Sequence, residues 1–195
     1  MTPVDGSGAG STSAIPPIGQ PLPLVHEVLP AGARIWGAGR PAYPDEPPSP
    51  EAVEEGAREW RALGVDLVVS LIEDWEVPRR APGLFEGLAR SGIEVARFPV
   101  PDFGAPADRA AFATLLNRMR ERMAAGAGLL VHCNAGLGRT AVVLASVLKD
   151  HGLDEDAVDT IRRIYRPNAM LDARQEAFVR GLPAGPNGHG RARGW

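Results

Sequence analysis

The chain reads as an α/β domain: a central, mostly parallel sheet with helices on both faces. Three observations predict it. Short apolar runs of strand length alternate with segments of helical periodicity along the chain. Two of those runs, 65–72 "VDLVVSLI" and 128–133 "GLLVHC", are apolar without alternation, as strands buried on both faces are. The segment from about Arg139 to Leu148 is apolar all round, the mark of a central helix.

The elements follow in order. "LVHEVLP" and "ARIWGAG" predict two strands joined as a hairpin near Pro30–Gly32. A helix is expected over 49–64, with Ser49 as N-cap, Pro50 at its first position and Gly64 ending it. The 65–72 strand precedes a short helix over 83–92 and a strand over 93–100. From 106 to 125, Phe112, Leu115, Leu116 and Met119 recur at helical spacing. After the 128–133 strand and the central helix, two more helices are separated at Pro167. The Gly/Ser/Pro-rich stretch 1–20 is expected to be a disordered arm and 182–195 a flexible tail. They leave 21–181 as one domain, the number that 195 residues suggest.

Composition excludes several classes. A net charge of −3 creates no field for nucleic acid or an anionic membrane, and no apolar run is long enough to span a bilayer. The first seventeen residues have neither the basic start nor the apolar stretch of a secretory signal. One cysteine rules out an intramolecular disulfide and a multi-thiolate metal site. His26, His151 and His189 are scattered and form no ligand set. No metal and no cofactor are expected. The expected molecule is a cytoplasmic monomer that keeps a free thiol.

That thiol is Cys133, in "VHCNAGLGRTAVV". A strand, a glycine-containing loop (Asn134, Ala135, Gly136, Leu137, Gly138) and a helix follow one another there, an arrangement that turns backbone N–H groups toward an anion. The helix start adds its positive end, and Arg139 a planar fork matched to two phosphate oxygens. Such a field favours the thiolate, and a thiolate inside a phosphate cradle is a nucleophile aimed at phosphorus. Thr140 is expected to direct its hydroxyl at the sulfur. His132 is expected to order the loop rather than to take the thiol proton.

"HCNAGLGRT" resembles the His-Cys-five residues-Arg-Ser/Thr signature of the cysteine-dependent protein tyrosine phosphatase superfamily. Its "AGLGRT" is similar to the dual-specificity branch, especially the cell-division-cycle type and the kinase-associated phosphatases. The resemblance extends over about residues 30 to 180. It implies metal-free, two-step hydrolysis of phosphate monoesters through a phosphocysteine, on a phosphorylated protein or a small phosphate monoester.

A donor must also protonate the leaving oxygen. "FPVPDFGAPAD" (98–108) has the composition of a mobile loop, and family members carry their acid on such a loop upstream of the cysteine. Asp102 is the candidate, with Asp108 as a rival that also suits a helix start. "YRPNAMLDARQEAFV" (165–179) resembles a further family segment, which implies that Gln175 places the attacking water; Asn168, Leu171 and Asp172 depart from its pattern. Arg163 and Arg166 are possible rim residues. "LIEDWE" (71–76) resembles the acidic-aromatic loop flanking this site, with Asp74 and Trp75 as possible substrate contacts. Neither Tyr43 nor Tyr165 lies in a segment that reads as a pocket wall, so a shallow pocket admitting several phosphoresidues is expected. Two rivals stand beside this reading: a phosphoinositide or other small-ester phosphatase, and a non-catalytic phosphate-binding module.

Overall fold

The computed structural model describes residues 15–170, 172–183 and 185. Residues 1–14 of the expected arm, Leu171 and most of the expected tail, Trp195 included, lie outside the described residues. Five strands form one sheet in the order β1-β2-β5-β3-β4: β1 (Leu22–Pro23), β2 (Arg34–Ala38), β3 (Leu67–Ser70), β4 (Glu94–Arg97) and β5 (Gly128–His132). Among the described residues only the β1–β2 pairing is antiparallel. An antiparallel pair is therefore present, but its first strand lies wholly ahead of the expected one: none of residues 24–30 is strand. His26 Nδ1 accepts the Val28 N–H and opens a turn where strand was expected.

Side chains of β3 and β5 alternate between two cores, as the period of a strand requires. Leu67, Val69, Leu129 and Val131 face one cluster, while Val68 and Leu130 face the other. The first is covered by α4 (Arg109–Ala124), α5 (Arg139–Asp150), α6 (Ala157–Ile164) and α7 (Ala173–Arg180); the second by α1 (Pro50–Ala62) and α3 (Leu84–Arg90). Caps set the helix starts. Ser49 accepts the Ala52 N–H ahead of Pro50 in α1, as its sequence predicts. Asp108 accepts from Ala110 and Ala111 and starts α4 three residues later than its composition suggests. A one-turn helix, α2 (Val77–Arg80), was not expected.

α5 is buried from Arg139 through Leu148 and sits behind β5. The loop between them therefore opens at the C-terminal edge of the parallel strands, between central neighbours β2 and β3. Residues 15–20, read as arm, are tied to the domain. Arg166, buried, donates to the carbonyls of Pro16, Pro17 and Gln20.

Candidate active site

The loop after β5 is held by its carbonyls. His132 Nδ1–H donates to Cys133 O at 3.2 Å, and Arg40 N–H to Asn134 O at 2.9 Å. The Tyr165 hydroxyl donates to Gly136 O at 2.8 Å, and Met170 N–H to Leu137 O at 3.2 Å. In a trans peptide, C=O and the following N–H point opposite ways. Pinning these carbonyls outward turns the amides of Asn134, Ala135, Leu137 and Gly138 inward. The Gly136 amide donates to Cys133 Sγ at 3.3 Å. Burial takes His132 to a pKa of about 4, ahead of the opposing pull of its bond to Cys133, so the ring is neutral and acts as a loop donor. Trp60 packs against it at 5.4 Å.

The two loop glycines serve different needs. Gly136 has φ +79°, and a Cβ there would meet Ala38 and Gly39 backbone at 2.6 Å. Gly138 keeps a negative φ; its missing side chain leaves room for the Gln175 amide, which a Cβ would approach to 3.0 Å.

Arg139 is 2% exposed and anchored on one edge. Nη1 donates to Leu71 O, Val100 O and Glu76 Oε2 (3.3, 3.0 and 2.6 Å), and Nη2 to Glu76 Oε1 at 3.1 Å. Nε is buried with no protein partner among the described residues. The guanidinium thus keeps Nε, and Nη2 in part, for an oxyanion. Burial opposes the Glu76 charge, but hydrogen bonds from Arg139, the Glu73 amide and Arg80 outweigh it and hold its carboxyl below the usual range.

A cavity of about 250 Å³ stands over Cys133, lined by Tyr43, Asp102, Phe103, Arg139, Gln175 and the loop residues Asn134, Ala135, Leu137 and Gly138. Asp102 Oδ1 lies 3.1 Å from Arg139 Nη2, and Oδ2 lies 3.6 Å from Arg80 Nη1. Gln175 is 1% exposed; Nε2 donates to Gly104 O at 2.9 Å, while its buried Oε1 has no partner among the described residues. A larger groove of about 390 Å³ runs between α4, α5 and Leu182, Pro183 and Gly185, but shares no residue with this one.

A family model described as "Polymorphic toxin system, DSP-PTPase phosphatase" matches residues 44–153, more than half of the chain. This chain belongs to that DSP-PTPase family. It is 26% identical over 131 residues to cyclin-dependent kinase inhibitor 3 of Sus scrofa, covering 65% of this chain and 61% of that protein. The chain therefore spans less than two thirds of the curated relatives it matches. Among solved structures, Tk-PTP in its active form is similar at 30% identity and a TM-score of 0.61, with 75% of this chain and 89% of that one covered. The fold is also that of kinase associated phosphatase carrying serine for its catalytic-site cysteine: TM-score 0.63, 20% identity, 74% of this chain and 82% of that one.

In this DSP-PTPase the other sequence candidates fall as follows. Thr140 Oγ1 donates to Ala38 O at 3.4 Å, not to the sulfur, because the side chain faces the end of β2. Asp108 is occupied in capping α4. Arg166 is buried against residues 16–20 and Arg163 pairs with Glu155, so neither lines the cavity. Asp74 is exposed and paired with Arg97; Trp75 is exposed beneath the Arg80 guanidinium, not packed under the loop. Among the described residues, no group of three or more His, Cys, Asp or Glu is placed to hold a metal ion, and no helix is long and apolar enough to cross a membrane.

Sequence reasoning missed Glu76, Tyr43, Arg40 and Phe103, which follows Asp102 directly and lines the cavity. Glu76 lies in a stretch holding three carboxylates in four positions, and local pattern does not tell which one is buried. Tyr43 lies far from the loop in sequence; Arg40, whose Nε donates to Asn134 Oδ1 at 2.9 Å, brings it there.

Proposed function

We propose that this DSP-PTPase hydrolyses phosphate monoesters through a phosphocysteine, acting on phosphorylated protein. The observation that carries the proposal is the set of outward-pinned carbonyls around Cys133, which leaves inward amides and a free Arg139 Nε around one sulfur. Cys133 Sγ attacks phosphorus as the P–O bond to the leaving group breaks. The loop amides and Arg139 take the equatorial oxygens, where charge is spread in the transition state. An incoming phosphate competes with Asp102 for Arg139 Nη2. The displaced carboxylate, no longer held ionised by the guanidinium, takes up a proton from the monoprotonated phosphate or from solvent and passes it to the leaving oxygen. In the second step Asp102 takes a proton from water and the S–P bond breaks. Gln175 supports the placing of that water through Oε1, the atom it leaves unpartnered at the cavity. Thr140 acts here as a brace between α5 and β2.

A phosphoprotein is favoured over a polyphosphorylated lipid headgroup because Asn134 and Leu137 occupy loop positions where extra phosphates would call for cations. The test is turnover across phosphopeptides and phosphoinositides, with Cys133→Ser as control. Hydrolysis of phosphopeptides that the variant abolishes supports the reading. Turnover confined to phosphoinositides, or surviving in Cys133→Ser, overturns it.

A further inference from the structure

Two of the four groups that pin the phosphate-loop carbonyls stand next to one short segment, Pro16–Gln20. The Arg40 amide on Asn134 O follows Gly39, whose own N–H donates to Gly19 O at 2.9 Å. Gly39 fits between segment and loop: a Cβ there would meet both Gly19 Cα at 2.8 Å and Asn134 O at 2.9 Å. The Tyr165 hydroxyl on Gly136 O belongs to a ring 5.7 Å from the Arg166 guanidinium. Arg166 is buried, and among the described residues its side-chain hydrogen bonds run only to this segment. Nη1 donates to Pro16 O at 2.8 Å, and Nη2 to Pro17 O at 3.0 Å and Gln20 O at 3.2 Å. A buried guanidinium without partners is costly, so the place of Arg166 beside the Tyr165 ring depends on those carbonyls. Gly37 on β2 leaves room for the same ring, since a Cβ there would meet the Tyr165 hydroxyl oxygen at 2.6 Å.

The segment is held in a way that lets it lift. Its large apolar side chains, Ile15 and Ile18, are 53% and 43% exposed, so backbone carbonyls rather than apolar burial fasten it. Few buried apolar contacts mark a low free energy of local opening. β1 begins just after it and pairs Leu22 with Gly37, so the segment can open while the sheet stays whole. Both sides of this contact, residues 16–39 and residues 165–166, lie outside the matched family region 44–153.

We infer that Pro16–Gln20 is a strap that positions the phosphate loop. Seated on Arg166 and Gly39, it keeps the loop carbonyls turned outward; lifted, it leaves the fold intact and the loop slack, with a weaker hold on the phosphoryl group. Gly19, Gly39 and Arg166 are positioning residues that act through the Arg40 amide and Tyr165, and none of them lines the cavity. The inference rests on the phosphatase reading above and adds a conformational control to its site. Linkage is reciprocal: if the strap favours the anion-binding loop, an anion in the loop favours the seated strap by the same factor.

The test uses the full chain, with inorganic vanadate as the probe of the loop. The amides of Gly39 and Gln20 report on the strap, because their acceptors, Gly19 O and Pro17 O, belong to it. In wild type, hydrogen exchange followed by NMR should slow at both by about 5–10-fold when vanadate saturates the site. Arg166→Gln should weaken vanadate inhibition and lower kcat/KM on an activated aryl phosphate by about the same 5–10-fold. It should also remove the effect of vanadate on the two amides while the chain still melts cooperatively. Pro16→Gly combined with Pro17→Gly loosens the free segment without touching the domain, and should shift vanadate inhibition in the same direction by a smaller factor. That variant and the wild-type exchange keep the test open if Arg166→Gln does not fold. Exchange at Gly39 and Gln20 unaltered by vanadate in wild type, or unchanged inhibition and turnover in both variants, overturns the strap's role and leaves the phosphatase reading intact. A wild type that neither hydrolyses the aryl phosphate nor binds vanadate refutes that reading, and the strap's role with it.

Discussion

Glu76 holds two of the five hydrogens of the Arg139 fork, with neither side chain reaching solvent. Removing one partner of such a pair leaves an uncompensated buried charge, at a cost of about 3–5 kcal/mol. Glu76→Ala is therefore expected to lower stability by roughly that amount in denaturant melts. It should also cut kcat on an aryl phosphate, since the fork loses its orientation; full activity in that variant would remove Glu76 from the site. At Asp102 the leaving group discriminates. Asp102→Asn should slow a phenyl phosphate by roughly 10²–10⁴-fold, the range of general acid catalysis, and an activated aryl phosphate much less. Equal loss on both esters, or a larger loss in Asp108→Asn, would move the acid elsewhere. His132 makes a prediction in pH. Its pKa of about 4 in the folded state lies below the ordinary 6.5, so below pH 6.5 the unfolded chain takes up a proton that the native state refuses. That costs stability progressively down to about pH 4, reaching about 3 kcal/mol, and nothing above pH 7. Stability followed from pH 7 to 4 in wild type and His132→Gln should show the steeper fall in wild type.

Among elements, the strand–loop–helix at 128–150 was the most legible part of the chain. Cysteine, glycines and arginine recur there at short spacing, and apolar patterning marks both flanking elements. The Ser49–Pro50 start of α1 was legible for a similar reason, since caps are local chemistry. What local pattern did not disclose was tertiary. Residues 24–30 turn instead of extending, with His26 Nδ1 accepting the Val28 N–H. Arg166 read as a possible rim residue, but residues 16–20 lie over it. The two loop glycines look alike in sequence, but φ separates them. Gly136→Ala combines a strained φ with a 2.6 Å backbone clash and should abolish turnover. Gly138→Ala asks only the Gln175 amide to give way at 3.0 Å, and should retain phosphorylation of the enzyme while slowing its hydrolysis. Burst kinetics on an activated aryl phosphate check this, and loss of the burst itself in Gly138→Ala would contradict it.

At the scale of the whole molecule, the groups of the site come from widely separated parts of the chain. Cys133 and Arg139 border the loop after β5, Asp102 follows β4, Glu76 precedes α2, Gln175 is on α7 and Tyr43 follows β2. The parallel sheet gathers these at one edge because β5 lies between β2 and β3. In the proposed mechanism this assembly lets a single sulfur carry the phosphoryl group between two half-reactions. The direct measurement is acid quenching of enzyme turning over an activated aryl phosphate, followed by peptide mass spectrometry. One phosphoryl group is expected on the peptide containing Cys133, absent in Cys133→Ser and accumulating in Gln175→Ala. Phosphate on another residue, or steady turnover by Cys133→Ser, would contradict it.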